Sequence, residues 1–144
     1  MKIVSFSIIA IFLANIIQAQ KVHYSSNNGT AIKGYDPVAY FLQDKAVEGR
    51  SDLSFDWSGS TWKFTSQANL DSFKLQPQKY APQYGGYCAY GLSENHLSAT
   101  DPEAWTIVAG KLYLNYNGKV KEMWMKDKEN RIKTADVHWP SINN

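Results

Sequence analysis

The residues best suited to chemistry lie close together in this chain, within Tyr84 to Trp105, YGGYCAYGLSENHLSATDPEAW. That segment holds the only cysteine of the 144 residues, Cys88, with His96 eight residues downstream. A thiol with an imidazole nearby is a ligand pair for a soft metal such as copper, or for zinc. The same pair is also the minimum for thiol-based redox or nucleophilic chemistry, with the imidazole as base. A third alternative is that Cys88 is a small buried apolar residue, a common role for a free cysteine. The residues alone leave all three open.

His23 lies in a polar stretch near the start and His138 near the end, so His96 is the base or ligand that Cys88 would use. Two ligands fall short of the four that a closed zinc site takes. Glu94, Asp101 or Glu103 could add oxygen, and Met123 and Met125 soft sulfur, although the spacing follows no recognised ligand pattern. Both methionines flank Trp124; Met123 is expected in the core and Met125 outside it. The acidic residues are too scattered to mark a carboxylate pair for glycoside chemistry. No GxGxxG or GxxxxGK loop is present to cradle phosphate. The formal charge of +2, with the lysines dispersed, gives no electrostatic case for nucleic acid.

These side chains need elements to hold them. Asp36 before Pro37 reads as a helix N-cap followed by the first helical residue, and Asp101 before Pro102 repeats the arrangement. Leu53, Phe55 and Trp57 alternate with polar residues, Ser58-Gly59-Ser60 turns, and Thr61 to Thr65 alternates again, which is a hairpin. Ser66 caps a helix through Ala68, Leu70, Phe73 and Leu75 that ends near Pro77. Trp105 to Val108 and Lys111 to Tyr116 form a second hairpin, closed by Asn117-Gly118. From Lys119 to about Asp136 the pattern is helical, and Pro140 stops anything that reaches it. The hairpin-then-helix order occurs twice, but the residues do not match and no internal repeat is expected. The fold class is therefore α+β, a small single domain of two β-hairpins with packed helices.

Residues 1–19 read as a signal peptide. Lys2 precedes an apolar run, Ile3 to Ile17, that is shorter than the roughly 20 residues needed to span a bilayer. Ala19 is a small residue at a plausible cleavage point, although Ile17 is bulky for its place; the alternative is an uncleaved anchor. Export to the periplasm or beyond follows, with no integral membrane span after cleavage. Residues 20–31 are polar and turn-forming, a flexible lead-in expected to add little core. The remainder, residues 32–140, suits one domain. Five Trp, nine Tyr and six Phe imply an aromatic core with internal hydrogen bonds at the ring tips. A single cysteine excludes an internal disulfide.

Three long motifs carry a resemblance: Gly34-Tyr35-Asp36-Pro37-Val38-Ala39-Tyr40-Phe41, Tyr80 to Gly91 with its Gly-Tyr-Cys-Ala-Tyr-Gly, and Asp101-Pro102-Glu103-Ala104-Trp105-Thr106-Ile107 followed by Lys111 to Tyr116. In this order they resemble the exported bacterial YHS domain-containing proteins, over about Ile32 to Pro140. The wider group is similar to TRASH-type metal-binding modules, which read roughly Asp-Pro-Val-Cys, a hairpin, then Phe-Cys-Ser-x-x-Cys opening a helix. On this chain Ala39, Thr65 and Asn69 fall where that pattern has its three cysteines. The Tyr-His-Ser triplet is also absent. The resemblance thus implies the hairpin-and-helix framework without its inherited metal site, and leaves Cys88, with His96, as the place for any metal. The reading is a non-enzymatic exported domain, with a thiol-based redox protein or a partner-binding accessory domain as alternatives.

Overall fold

In the strand Arg50–Trp57, Leu53, Phe55 and Trp57 turn inward while Ser54 and Asp56 stay exposed, and in Ser60–Phe64 alternate positions Ser60, Trp62 and Phe64 are buried. That alternation fixes the register, because a one-residue slip would send the aromatic side chains to solvent. The computed structural model describes residues 22–143. The signal peptide expected at residues 1–19 lies outside them.

In chain order the elements are β1 (Ser26–Asn27), β2 (Thr30–Ala31), α1 (Ala39–Leu42), β3 (Arg50–Trp57), β4 (Ser60–Phe64), α2 (Gln67–Leu75), α3 (Pro77–Tyr80), α4 (Ala89–Ser93), β5 (Asp101–Val108), β6 (Lys111–Asn115), α5 (Gly118–Met125) and α6 (Lys128–Ile142). Short 3-10 turns, Ile32–Gly34 and Gln83–Gly86, precede α1 and α4. One sheet has the order β1-β2-β4-β3 and the other is the β5-β6 hairpin. This is a small single-domain α+β fold. Leu112 and Leu114 of β6 enter a core with Trp62, Phe64, Phe73 and Tyr40. Tyr113, on the opposite face, enters a second core with Tyr84, Leu92, Trp124 and Ala135. β6 is therefore the partition on which both cores close.

The second half repeats the turn, short helix, hairpin and helix of the first, without counterparts to β1 and β2. β3 and β5 are eight residues each, and β4 and β6 five each. Both hairpins turn through two residues of positive φ, Ser58-Gly59 and Ala109-Gly110, which matches the right-handed twist of paired strands. Both shift register after the first pair, Arg50 with Phe64 and Asp101 with Asn115, so paired positions lie 51 residues apart (Arg50 to Asp101). The following helices open on side-chain caps at the same offset. Ser66 Oγ accepts the Asn69 N–H at 3.1 Å, and Asn117 Oδ1 accepts the Val120 N–H at 2.9 Å. The aromatic pairs correspond too: Trp62 and Phe73 are 5.0 Å apart and inclined at 34°, Tyr113 and Trp124 5.3 Å and 37°. The repeat escaped sequence reading because it keeps backbone geometry while most paired positions differ in residue type, as at Phe64 and Asn115 or Thr65 and Tyr116.

Several expectations are corrected. The lead-in builds β1 and β2 and buries Tyr24 and Ala31, because Tyr24 packs against Trp57 and Trp62. That burial pushes the Tyr24 hydroxyl up to about pKa 12. Asp101 caps no helix; its carboxyl accepts the Glu103 N–H in a turn at the start of β5. Asn117 caps α5 instead of closing the hairpin. The expected single C-terminal helix is two, broken at Lys126 and Asp127, where the Asp127 carboxyl receives the Asn130 side chain. α6 continues through Pro140, which falls in its last turn, so little helix follows it to be disrupted. Met123 is 40% exposed rather than core, since Trp124 takes the inward position of α5.

Candidate functional site

Cys88 is placed by a turn that glycine makes possible. Tyr84, Gly85 and Gly86 all have positive φ, and the Tyr87 N–H closes the turn on the Tyr84 carbonyl at 3.0 Å. At Gly85 an added Cβ would run into the His23 carbonyl oxygen, so the close approach of the N-terminal segment requires glycine. Cys88 then caps α4: its Sγ accepts the Gly91 N–H at 3.5 Å and donates to Asn115 Oδ1 at 3.6 Å. The residue is only 2% exposed.

His96 reaches the same place because α4 is short. The chain reverses at Asn95, whose φ of 62° asparagine tolerates better than most residues. The His96 N–H bonds back to the Gly91 carbonyl at 3.0 Å, and the Cys88 N–H to the Ser98 carbonyl at 3.0 Å. The imidazole lies over Gly91: a Cβ there would stand 3.3 Å from Nε2. Cys88, Tyr90, Gly91, His96, Ser98, Tyr116 and Val120 line one pocket of about 260 Å3. The Arg131 guanidinium stacks on the outer face of Tyr90, 3.8 Å from its ring centre, and is held by Glu94 at 2.8 Å and Ser93 Oγ at 2.7 Å. The two residues singled out in the sequence therefore share a small cavity with two tyrosines in its wall. Sequence reading missed Tyr116, Val120 and Ser98. For Tyr116 and Val120 the signal was the 51-residue offset, which pairs them with Thr65 and Asn69.

Thr65 and Asn69 do converge, though not on a metal. Asp36, completely buried, accepts the Val38 and Ala39 N–H groups at 2.8 and 3.3 Å on one oxygen. Its other oxygen accepts the Thr65 N–H and hydroxyl, both at 2.8 Å, and the Asn69 amide at 2.7 Å. A carboxyl with hydrogen-bond donors thus fills the space where the wider family's pattern has thiolates, and these residues do not fit a soft metal ion.

The remaining candidates lie elsewhere. Glu94 is taken by Arg131, and Met125 Sδ receives the Thr106 hydroxyl at 3.8 Å. His138 Nδ1 is bound to the Leu92 carbonyl at 2.8 Å. Among the described residues no group of three or more His, Cys, Asp or Glu side chains could hold a metal ion, and the His96 ring has no hydrogen-bond partner. A closed zinc site made of protein ligands is therefore not assembled among the described residues, while the Cys88 sulfur and the His96 ring belong to the lining of one pocket.

Comparison with protein-family models, with curated proteins and with solved structures finds no match. No helix among the described residues is long and apolar enough to cross a membrane.

Proposed function

We propose that this chain is an exported, non-enzymatic YHS-like binding domain whose ligand site is the pocket over Cys88, and that its ligand is a soft metal ion, copper in the cuprous state. The observation that carries the reading is the convergence of Cys88 and His96 on one cavity, with His96 Nε2 seated over the glycine whose amide caps Cys88 Sγ. Thiolate sulfur and imidazole suit copper, and the residues that line the pocket carry no carboxylate to favour a hard ion. A nucleophilic enzyme would need its base oriented by a third group, and the His96 ring has none among the described residues. The dispersed lysines favour neither nucleic acid nor an acidic surface.

Titration of the reduced protein with cuprous ion against a chromophoric chelator tests this. One ion per chain is expected, with binding abolished in Cys88→Ala and weakened at least tenfold, about 1.4 kcal/mol, in His96→Ala. Equal affinity in wild type and Cys88→Ala would sink the proposal.

A further inference from the structure

The two halves place Cys88 where the first half has Asp36. Each residue follows a left-handed turn by two positions, Ile32-Lys33-Gly34 before Asp36 and Tyr84-Gly85-Gly86 before Cys88. Each turn is closed by a 3.0 Å bond from the intervening tyrosine, Tyr35 or Tyr87. Each residue also caps the next helix through the amide three positions on, Ala39 for Asp36 at 3.3 Å and Gly91 for Cys88 at 3.5 Å. The donors that complete the Asp36 site, Thr65 and Asn69, correspond to Tyr116 and Val120, which instead wall the open pocket.

The second observation is Asn115. It is completely buried, its carboxamide lies against Cys88 with Oδ1 3.6 Å from Sγ, and Oδ1 also receives the Tyr90 N–H at 3.1 Å. Its Nδ2 is a buried donor with no acceptor among the described residues. Such a donor costs free energy until an acceptor arrives. A thiol is a weak acceptor, while the corresponding residue in the first half presents two oxygens to its surroundings.

From this correspondence we infer that Cys88 is a modification site, oxidised by a small hydroperoxide entering through the pocket to a sulfinate that takes the place of the Asp36 carboxyl. Sulfur attacks one peroxide oxygen, the S–O bond forms as the O–O bond breaks, and the thiol proton leaves with the departing oxygen as water or alcohol. The resulting sulfenic acid has no second cysteine in the chain to resolve it as a disulfide. A second peroxide is reduced in the same way, adding the second oxygen, and the sulfinic acid loses its proton to solvent. Sulfur is oxidised by two electrons at each step and each peroxide is reduced by two. One new oxygen would accept the Gly91 amide in place of the sulfur, and the other would offer an acceptor to Asn115 Nδ2. This chemistry needs only pocket access to the thiol and does not depend on metal binding.

The test uses the metal-free full chain treated with hydrogen peroxide and read by peptide mass, with exposed Met123 and Met125 as internal controls for oxidant delivery. The Cys88 peptide is expected to gain two oxygens and stop. In parallel, Cys88→Asp should unfold at a urea concentration equal to or above that of the wild type and above that of Cys88→Ala. An unmodified Cys88 beside oxidised methionines, accumulation of the sulfonate, or a Cys88→Asp midpoint below Cys88→Ala would each overturn the inference. Oxidation removes the thiolate that the proposed copper site uses, so the cuprous titration is made on the reduced protein and the peroxide test on the metal-free protein, and the two proposals fail separately.

Discussion

Five hydrogen bonds end on the two carboxyl oxygens of Asp36, and every one is donated to it. A group so placed tolerates no donor of its own. Asp36→Asn keeps the size but turns an NH2 against at least two donors, each unmet group costing about 1–3 kcal/mol. We expect a loss of about 2–4 kcal/mol, read as a lower urea midpoint with unchanged slope; a variant within about 0.5 kcal/mol of wild type would show that the network carries no stability. Cys88 is the contrasting residue, with one weak donor and one weak acceptor bond in an open pocket. That difference is why the second site, rather than the first, has room for a ligand.

At the scale of elements, the turns before α1 and α4 decide where the caps fall. Gly85 combines a φ of 60° with the His23 carbonyl pressed against its Cα, whereas Gly59, at φ 80°, faces open space. Gly85→Ala is therefore expected to destabilise by well over the roughly 1 kcal/mol that left-handed strain alone costs, and Gly59→Ala by about that amount. Comparable losses in thermal unfolding would refute the claim that the N-terminal segment holds the Cys88 turn. The hairpins were legible because Leu53, Phe55, Trp57 and Leu112, Leu114 alternate at the strand period, and Ser66 announced α2. Asp101 misled because an aspartate before proline also begins an extended turn, and Asn117-Gly118 because the pair suits a hairpin turn and a helix cap alike. The approach of Cys88 and His96 could be suspected from spacing. The rest of the Asp36 network could not, since beyond the local Val38 and Ala39 amides its donors come from Thr65 and Asn69, about thirty residues away at the end of β4 and in α2.

For the whole molecule, a partition strand and two matched halves explain how one chain carries a closed polar site and an open thiol pocket. Tyr84 ties the second core together, donating to Asp136 at 2.8 Å from α6; burial and that carboxyl both hold its hydroxyl far above the usual tyrosine range. α6 also supplies Arg131 to the outer face of Tyr90, so the C-terminal helix braces the pocket wall. The chemistry is assigned to Cys88 because it is the only cysteine in the sequence. The most direct test is the metal content of the protein purified without chelators, beside Cys88→Ala prepared identically. The account predicts one copper per wild-type chain and none in the variant; equal metal in both, or none in either after reconstitution with cuprous ion, would contradict it.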